Sequence, residues 1–253
     1  MEIDLKRFNE VMDALERGEL RVAEKVDGTW KVNSWIKETI LWGFAHGNLV
    51  QMGDYVDKDT FPVREFSVSD GVRVVPRASA VRRGAYMAAG SIIMPPAYVN
   101  VGAYVDTGTM VDSHVTIGSC AQVGKHVHVS AGTQIGGVLE PAGALPTIIE
   151  DGAFVGGCCG IYEGTVVQEG AVIASGVTIT SSSAIFDSTT GEFIRRNEDG
   201  RVIVPRNAVI VSGSRPITHG PSAGSGVHLY CPVIVKYRDE KTSGSIHLEE
   251  LLR

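Results

Sequence analysis

The sequence predicts a mainly β protein. A parallel β-helix of hexapeptide repeats lies between a small N-terminal α+β domain and a C-terminal strand and helix extension. Three observations predict it. An aliphatic residue returns every sixth position through the middle of the chain. A small or β-branched residue follows four places later. The chain also holds 30 glycines beside 7% aromatic residues, which requires many tight turns and thin packing layers.

Residues 1–70 lack the period and read as the N-terminal domain. "LKRFNEVMDALERGEL" places Leu5, Phe8, Val11, Met12 and Leu15 on one helical face. "NSWIKETILWGFAHG" reads as a second helix, with Asn33 or Ser34 as its cap and Gly47 as its stop. "LRVAEKV" between them has the composition of a strand.

Residues 71–212 carry the repeat. From Val75 the sixth positions are Val81, Met87, Ile93, Val99, Val105, Val111, Ile117, Val123, Val129 and Ile135. The small or β-branched residues run from Ser79 and Ala85 to Val127 and Thr133. The register breaks at "GGVLEPAGALPTI", where residues 137–147 should leave the prism as a loop. It resumes at Ile149, Val155, Ile161, Val167, Ile173 and Ile179, and again at Val204 and Ile210. A lone hexad cannot bury its apolar face, whereas stacked coils bury a continuous column. "DSTTGEFIRRNEDGRV" reads as a hairpin insert and "SRPITHGPSAGSG" as a mobile glycine-rich loop. Residues 213–253 form the extension, with "LYCPVIVKYRD" a strand and "HLEELLR" a terminal helix.

The formal charge of −6 and pI near 5.6 give no support to a nucleic-acid binder. No apolar run is long enough to span a membrane, and "MEIDLKRFNE" is no signal peptide, so a cytoplasmic enzyme is expected. Cys120, Cys158, Cys159 and Cys231 make no metal or disulfide pattern and read as buried small hydrophobes.

"GTMVDSHVTIGSCAQVGKHVHVSAGTQIGGVLEP", "PTIIEDGAFVG", "LRVAEKVDGTWKVNSWIKETIL", "RVVPRASAVRRGAYM", "LYCPVIVK" and "ELLR" closely resemble the tetrahydrodipicolinate N-succinyltransferase family. A relative of that family acts in biosynthesis of the β-lactam dipeptide tabtoxin. The N-terminal segment looks shorter than the family's. The resemblance implies a left-handed β-helix and a homotrimer with its active site in the cleft between neighbouring copies. It implies acyl transfer from coenzyme A to the amine of ring-opened tetrahydrodipicolinate, without a metal. Succinyl-CoA is the family's donor; acetyl-CoA with a toxin-pathway acceptor is the alternative.

The amine must lose a proton to attack a thioester, and a positioned carboxylate can take it. Asp112 matches the family's catalytic aspartate, although Asp106 holds the equivalent place one hexad earlier. Arg73 matches the arginine that grips the substrate carboxylate, a pairing the guanidinium fork suits. The family's second catalytic carboxylate falls at Gly160, in "FVGGCCGIYEG". Glu163 moves in, or Asp112 works alone, or the substrate differs. Ser175, Arg215 and Lys236 are the candidates for coenzyme A contacts. Two other readings compete. A zinc site on the same scaffold needs three histidines, and His114, His126 and His128 are the nearest set. A non-catalytic trimeric scaffold would explain Gly160.

Overall fold

The computed structural model describes residues 3–76 and 78–238. Its body is a left-handed parallel β-helix with three faces. The first face stacks Arg73–Val74, Ile92–Ile93, Met110–Val111, His128–Val129, Phe154–Val155 and Val172–Ile173. The second stacks Ala80–Val81, Tyr98–Val99, Thr116–Ile117, Gln134–Ile135, Gly160–Ile161 and Thr178–Ile179. The third stacks Tyr86–Met87, Tyr104–Val105, Gln122–Val123, Ile148–Ile149, Thr165–Val167 and Val202–Val204. The first corner joins the first face to the second. The second corner joins the second to the third, and the third corner leads back to the first.

The repeat explains the core. Each hexad turns one aliphatic side chain inward, and from Val81 to Ile135 none of these is more than 4% exposed. Ile149, Val155, Ile161, Val167, Ile173, Ile179, Val204 and Ile210 continue the same column. Burying each such side chain contributes about 1.5–3 kcal/mol. Val75 is the exception. Arg73 pairs with Ile92 and Val74 with Ile93, so Val74 takes the inward register. The first turn therefore holds one residue more than a hexad.

Three residues after most of the inward aliphatics the backbone turns through the left-handed region. Glycine fills that place at Gly102 (φ +73°) and Gly176 (φ +77°), among others. His114, Cys120, His126, Cys158 and Asn207 fill it with φ between +53° and +67°. The corner conformation accounts for much of the glycine content.

Residues 137–147 leave the prism as the register loss predicts, and Ile148–Ile149 re-enters against Gln122–Val123. The fully buried Lys37 clamps this excursion, donating to the carbonyl of Ala144 at 2.7 Å and of Pro141 at 3.5 Å.

The N-terminal domain holds α1 (Leu5–Glu16) and α2 (Ser34–His46). Asp4 caps α1 by accepting the Arg7 N–H at 2.7 Å. Phe8, Val11, Met12 and Leu15 are buried, but Leu5, in the first turn, is 58% exposed. Asn33 stands at the cap of α2, yet its side chain donates instead to the Arg21 carbonyl. The expected strand is half of a hairpin, β1 (Ala23–Val26) with β2 (Thr29–Val32), turning at Asp27 and Gly28. A second hairpin, β3 (Leu49–Met52) with β4 (Tyr55–Lys58), follows α2.

This domain covers the second corner around Gly84, Gly102 and Cys120. A Cβ on Gly102 would stand 3.0 Å from Ile40 Cδ1, 3.0 Å from Cys120 Sγ and 3.2 Å from Val22 Cγ2. Ala23 packs with Leu145, Ile148 and Val166 along the third face.

At the other end, Ala208–Pro216 and His228–Tyr237 form an antiparallel ribbon that extends the first face. Ser214, Arg215 and Pro216 belong to this strand, so only 217–226 of the expected glycine-rich loop is a loop. The insert is a hairpin of Ile185–Asp187 with Glu192–Ile194. "HLEELLR" lies outside the described residues. Among the described residues no helix is long and apolar enough to cross a membrane.

Candidate active site

The hexad places a residue at the lip of each corner directly after the inward aliphatic. Asn100, Asp106 and Asp112 occupy that place in successive hexads. Each accepts the next residue's N–H through its side-chain oxygen, at 2.8, 2.7 and 2.7 Å. This local bond is therefore part of the repeat, and it does not single out Asp112. Location does. Asp112 stands at the first corner, which the N-terminal domain leaves open, and its side chain is 28% exposed. Its Oδ2 lies 3.8 Å from Nε2 of His128, one coil above on the first face. His128 is buried, with its ring 5.0 Å from that of Phe154. A partly exposed carboxylate with one oxygen tethered and the other near a histidine can accept a proton from a bound amine.

Arg73 occupies the outward column of the first face, aligned through Ile92 with Met110. It is exposed and stands two coils below Asp112, about 10 Å along the stack. Ser175 lies at the first corner, exposed, in the coil of Val172–Ile173. Arg215 pairs with Leu229 and Lys236 with Val209, both in the ribbon continuing the first face. The structure thus groups Asp112, Arg73 and Ser175 on one face and its corner, with Arg215 and Lys236 on the extension. Glu163 is apart: it sits exposed at the second corner, after Gly160–Ile161.

Gly160 opens the fifth strand of the second face, reached from the first corner through Cys158 and Cys159. Cys159 is buried, its thiol donating to the Ala174 carbonyl at 3.1 Å, and burial pushes that thiol up. Cys158 departs from the expected burial: it is exposed. His114 and His126 turn at different corners, after Met110–Val111 and Gln122–Val123. Among the described residues no three His, Cys, Asp or Glu side chains group so as to hold a metal ion.

A cavity of about 540 Å³ lies elsewhere, between the β1–β2 hairpin and the third corner. Its groups pair with one another. The Arg21 guanidinium stacks 3.7 Å over Tyr104 and donates to Gln122 Oε1 at 3.1 Å. Lys25 and Trp30 both donate to Glu150 Oε1 at 2.7 Å. These bonds join the cap to the prism.

Sequence reasoning passed over His128 as a neighbour of Asp112, and Tyr162 altogether. The signal was available for His128: residues eighteen apart stack, so position 128 lies over 110, beside 112.

The comparisons agree with this architecture. The sequence pattern of the tetrahydrodipicolinate N-succinyltransferase N-terminal region matches residues 3–45. That of the hexapeptide repeat of succinyl-transferase matches residues 146–181. The 2,3,4,5-tetrahydropyridine-2,6-dicarboxylate N-succinyltransferase of Pectobacterium atrosepticum is 47% identical over 97% of this chain and 87% of its own length. That of Pasteurella multocida is 47% identical over 97% of this chain and 88% of its own. That of Legionella pneumophila strain Paris is 44% identical over 98% and 88%. A solved structure from Campylobacter jejuni, a putative 2,3,4,5-tetrahydropyridine-2-carboxylate N-succinyltransferase, shares the fold. Its TM-score is 0.54 at 15% identity, over 97% of this chain and 65% of that one. The chain belongs to the tetrahydropyridine-dicarboxylate N-succinyltransferase family of hexapeptide-repeat acyltransferases.

Proposed function

We propose that this acyltransferase moves a succinyl group from succinyl-CoA to the amine of ring-opened tetrahydrodipicolinate. The observation that carries the reading is Asp112, a half-buried carboxylate at the first corner with its Oδ2 3.8 Å from His128 Nε2. In this reading the amine lone pair attacks the thioester carbon, and the C–N bond forms. Asp112 takes the amine proton and returns it to the sulfur as the C–S bond breaks, so coenzyme A leaves as its thiol and the carboxylate is restored. Backbone N–H groups at the corner are the available donors for the tetrahedral oxyanion. Arg73 grips a substrate carboxylate from the first face. Ser175, Arg215 and Lys236 meet coenzyme A along the corner and the ribbon.

The active assembly in this reading is a homotrimer, with the first corner of one copy facing its neighbour. Glu163 then takes part only where a neighbouring copy brings it across, since its own Asp112 stands at another corner. Light scattering checks the assembly, and an active monomer would end this part of the reading. The donor is settled by thiol release with succinyl-CoA and acetyl-CoA side by side, using tetrahydrodipicolinate as acceptor. Succinyl-CoA should turn over faster. Preference for acetyl-CoA, with no use of tetrahydrodipicolinate, would favour the toxin-pathway alternative.

A further inference from the structure

Gly160 has no conformational reason to be glycine. Its backbone lies in a regular strand, outside the left-handed region, paired with Gln134 below and Thr178 above. Glycine inside a strand marks a close approach. Here the approach is made by Tyr162, two residues on and pointing to the same side of the strand. A Cβ at position 160 would stand 2.6 Å from Tyr162 Cε2 and 3.1 Å from both Cζ and Oη. The same ring's Cδ1 lies 3.1 Å from where a Cβ on Gly136 would stand. Gly136 sits directly below Tyr162 in the stack, one coil down. The ring therefore lies back along the second face, in a trough floored by two glycines.

We propose that Tyr162 sets acceptor specificity, its ring and hydroxyl occupying the volume that a side chain at position 160 would fill. The proposal rests on the acyltransferase reading of the first corner. Residues 158–160 lead from that corner onto the second face, and Gly160 stands two coils, about 10 Å, above Thr116, which follows Asp112 around the corner. With Cε2 and Oη this close to the missing Cβ, the ring and a carboxylate at 160 cannot both keep these positions, and one must turn aside. The exchange alters the chemistry of that wall. A carboxylate is anionic and only accepts hydrogen bonds, whereas a neutral phenol also donates one. The wall then suits an acceptor that presents a carboxylate or carbonyl oxygen here, and it gives no anionic partner to an ammonium. Asp112 remains the proton acceptor at the corner.

The test compares Tyr162→Phe, Gly160→Glu and the double change Gly160→Glu/Tyr162→Val in the full chain. Thiol release from succinyl-CoA is followed with tetrahydrodipicolinate and with open-chain amino mono- and dicarboxylic acids. Tyr162→Phe should raise KM for oxygen-ended acceptors about 3- to 10-fold, the range of one hydrogen bond, with kcat and the donor KM unchanged. Gly160→Glu alone should lose activity that the double change regains, with a different order of preferred acceptors. Should Gly160→Glu fail to fold, Gly160→Ala with and without Tyr162→Val reads the same contact by melting temperature, and the second change should rescue the first. Unchanged acceptor KM values in Tyr162→Phe would overturn the specificity role while leaving the acyltransferase reading intact, as would single and double variants of equal activity. Wild-type protein that releases no thiol with any acceptor would end both.

Discussion

Cys120 and Cys158 occupy the same place in their hexads, three residues after Ile117 and Val155, and both turn through left-handed φ, +67° and +56°. Their surroundings differ completely. Cys120 lies at the second corner, under the N-terminal domain, fully buried, and burial pushes its thiol up to about 12. Cys158 lies at the first corner and is exposed. The repeat gives these two positions the same backbone conformation. The cap then decides which corners become core and which keep side chains available to a ligand. Asp106 and Asp112 repeat the lesson: they make the same local bond at different corners, and one lines the seam beneath the cap while the other stands at the open edge.

Paired glycine substitutions sharpen the comparison most strongly. Gly102 and Gly176 share φ near +75°, at the second and first corners. Gly176→Ala meets no atom within 4 Å, so it should cost only conformational strain, about 1–2 kcal/mol. Gly102→Ala adds crowding against Ile40, Val22 and Cys120, for a total of about 2–5 kcal/mol. Equal losses in denaturant unfolding would show that the cap does not press on the second corner.

Thiol labelling tests the same contrast by reactivity. In native protein at mildly alkaline pH, iodoacetamide should modify Cys158 and spare Cys120, Cys159 and Cys231, all three of them buried. Peptide mass spectrometry reads the site. Thiol-release activity should fall with the extent of Cys158 modification, since the added group crowds the first corner.

The smallest effect concerns Lys37. Burial holds its ammonium below the usual amine value of 10.5. Between the lowered folded value and 10.5 the unfolded chain binds more protons, so stability rises with pH across that window. The wild type should gain in urea midpoint over Lys37→Met as pH climbs toward 10.5. A difference independent of pH would mean that the amine is not desolvated in the fold.

Much of this division was legible in the sequence, for particular reasons. A period of six with inward aliphatics has few other structural solutions, and it placed the core from Val81 to Ile210 correctly. It failed at Val75, where Arg73–Val74 shows an extra residue in the first turn. The two cap hairpins escaped notice although Asp27-Gly28 and Gly53-Asp54 are two-residue turn signals. The flanking strands are too short and too exposed for alternation to stand out. The site was legible only as a set of columns. Eighteen-residue stacking aligns Ile92, Met110 and His128, but the extra residue in the first turn hides that Arg73 joins them, and which corner the cap leaves open is a tertiary fact. Tyr162 was invisible for a similar reason, because nothing in the sequence says that its ring folds back over Gly160.

The central claim is that the open corner, and not the repeat position, makes an aspartate catalytic. The direct test is kcat for Asp112→Asn beside Asp106→Asn, measured by thiol release in proteins that melt as the wild type does. Asp112→Asn should lose about 10²- to 10⁴-fold, the usual contribution of a positioned acid–base group. Asp106→Asn should keep wild-type turnover. If the two variants fall together, or if Asp112→Asn keeps its rate, the claim is contradicted.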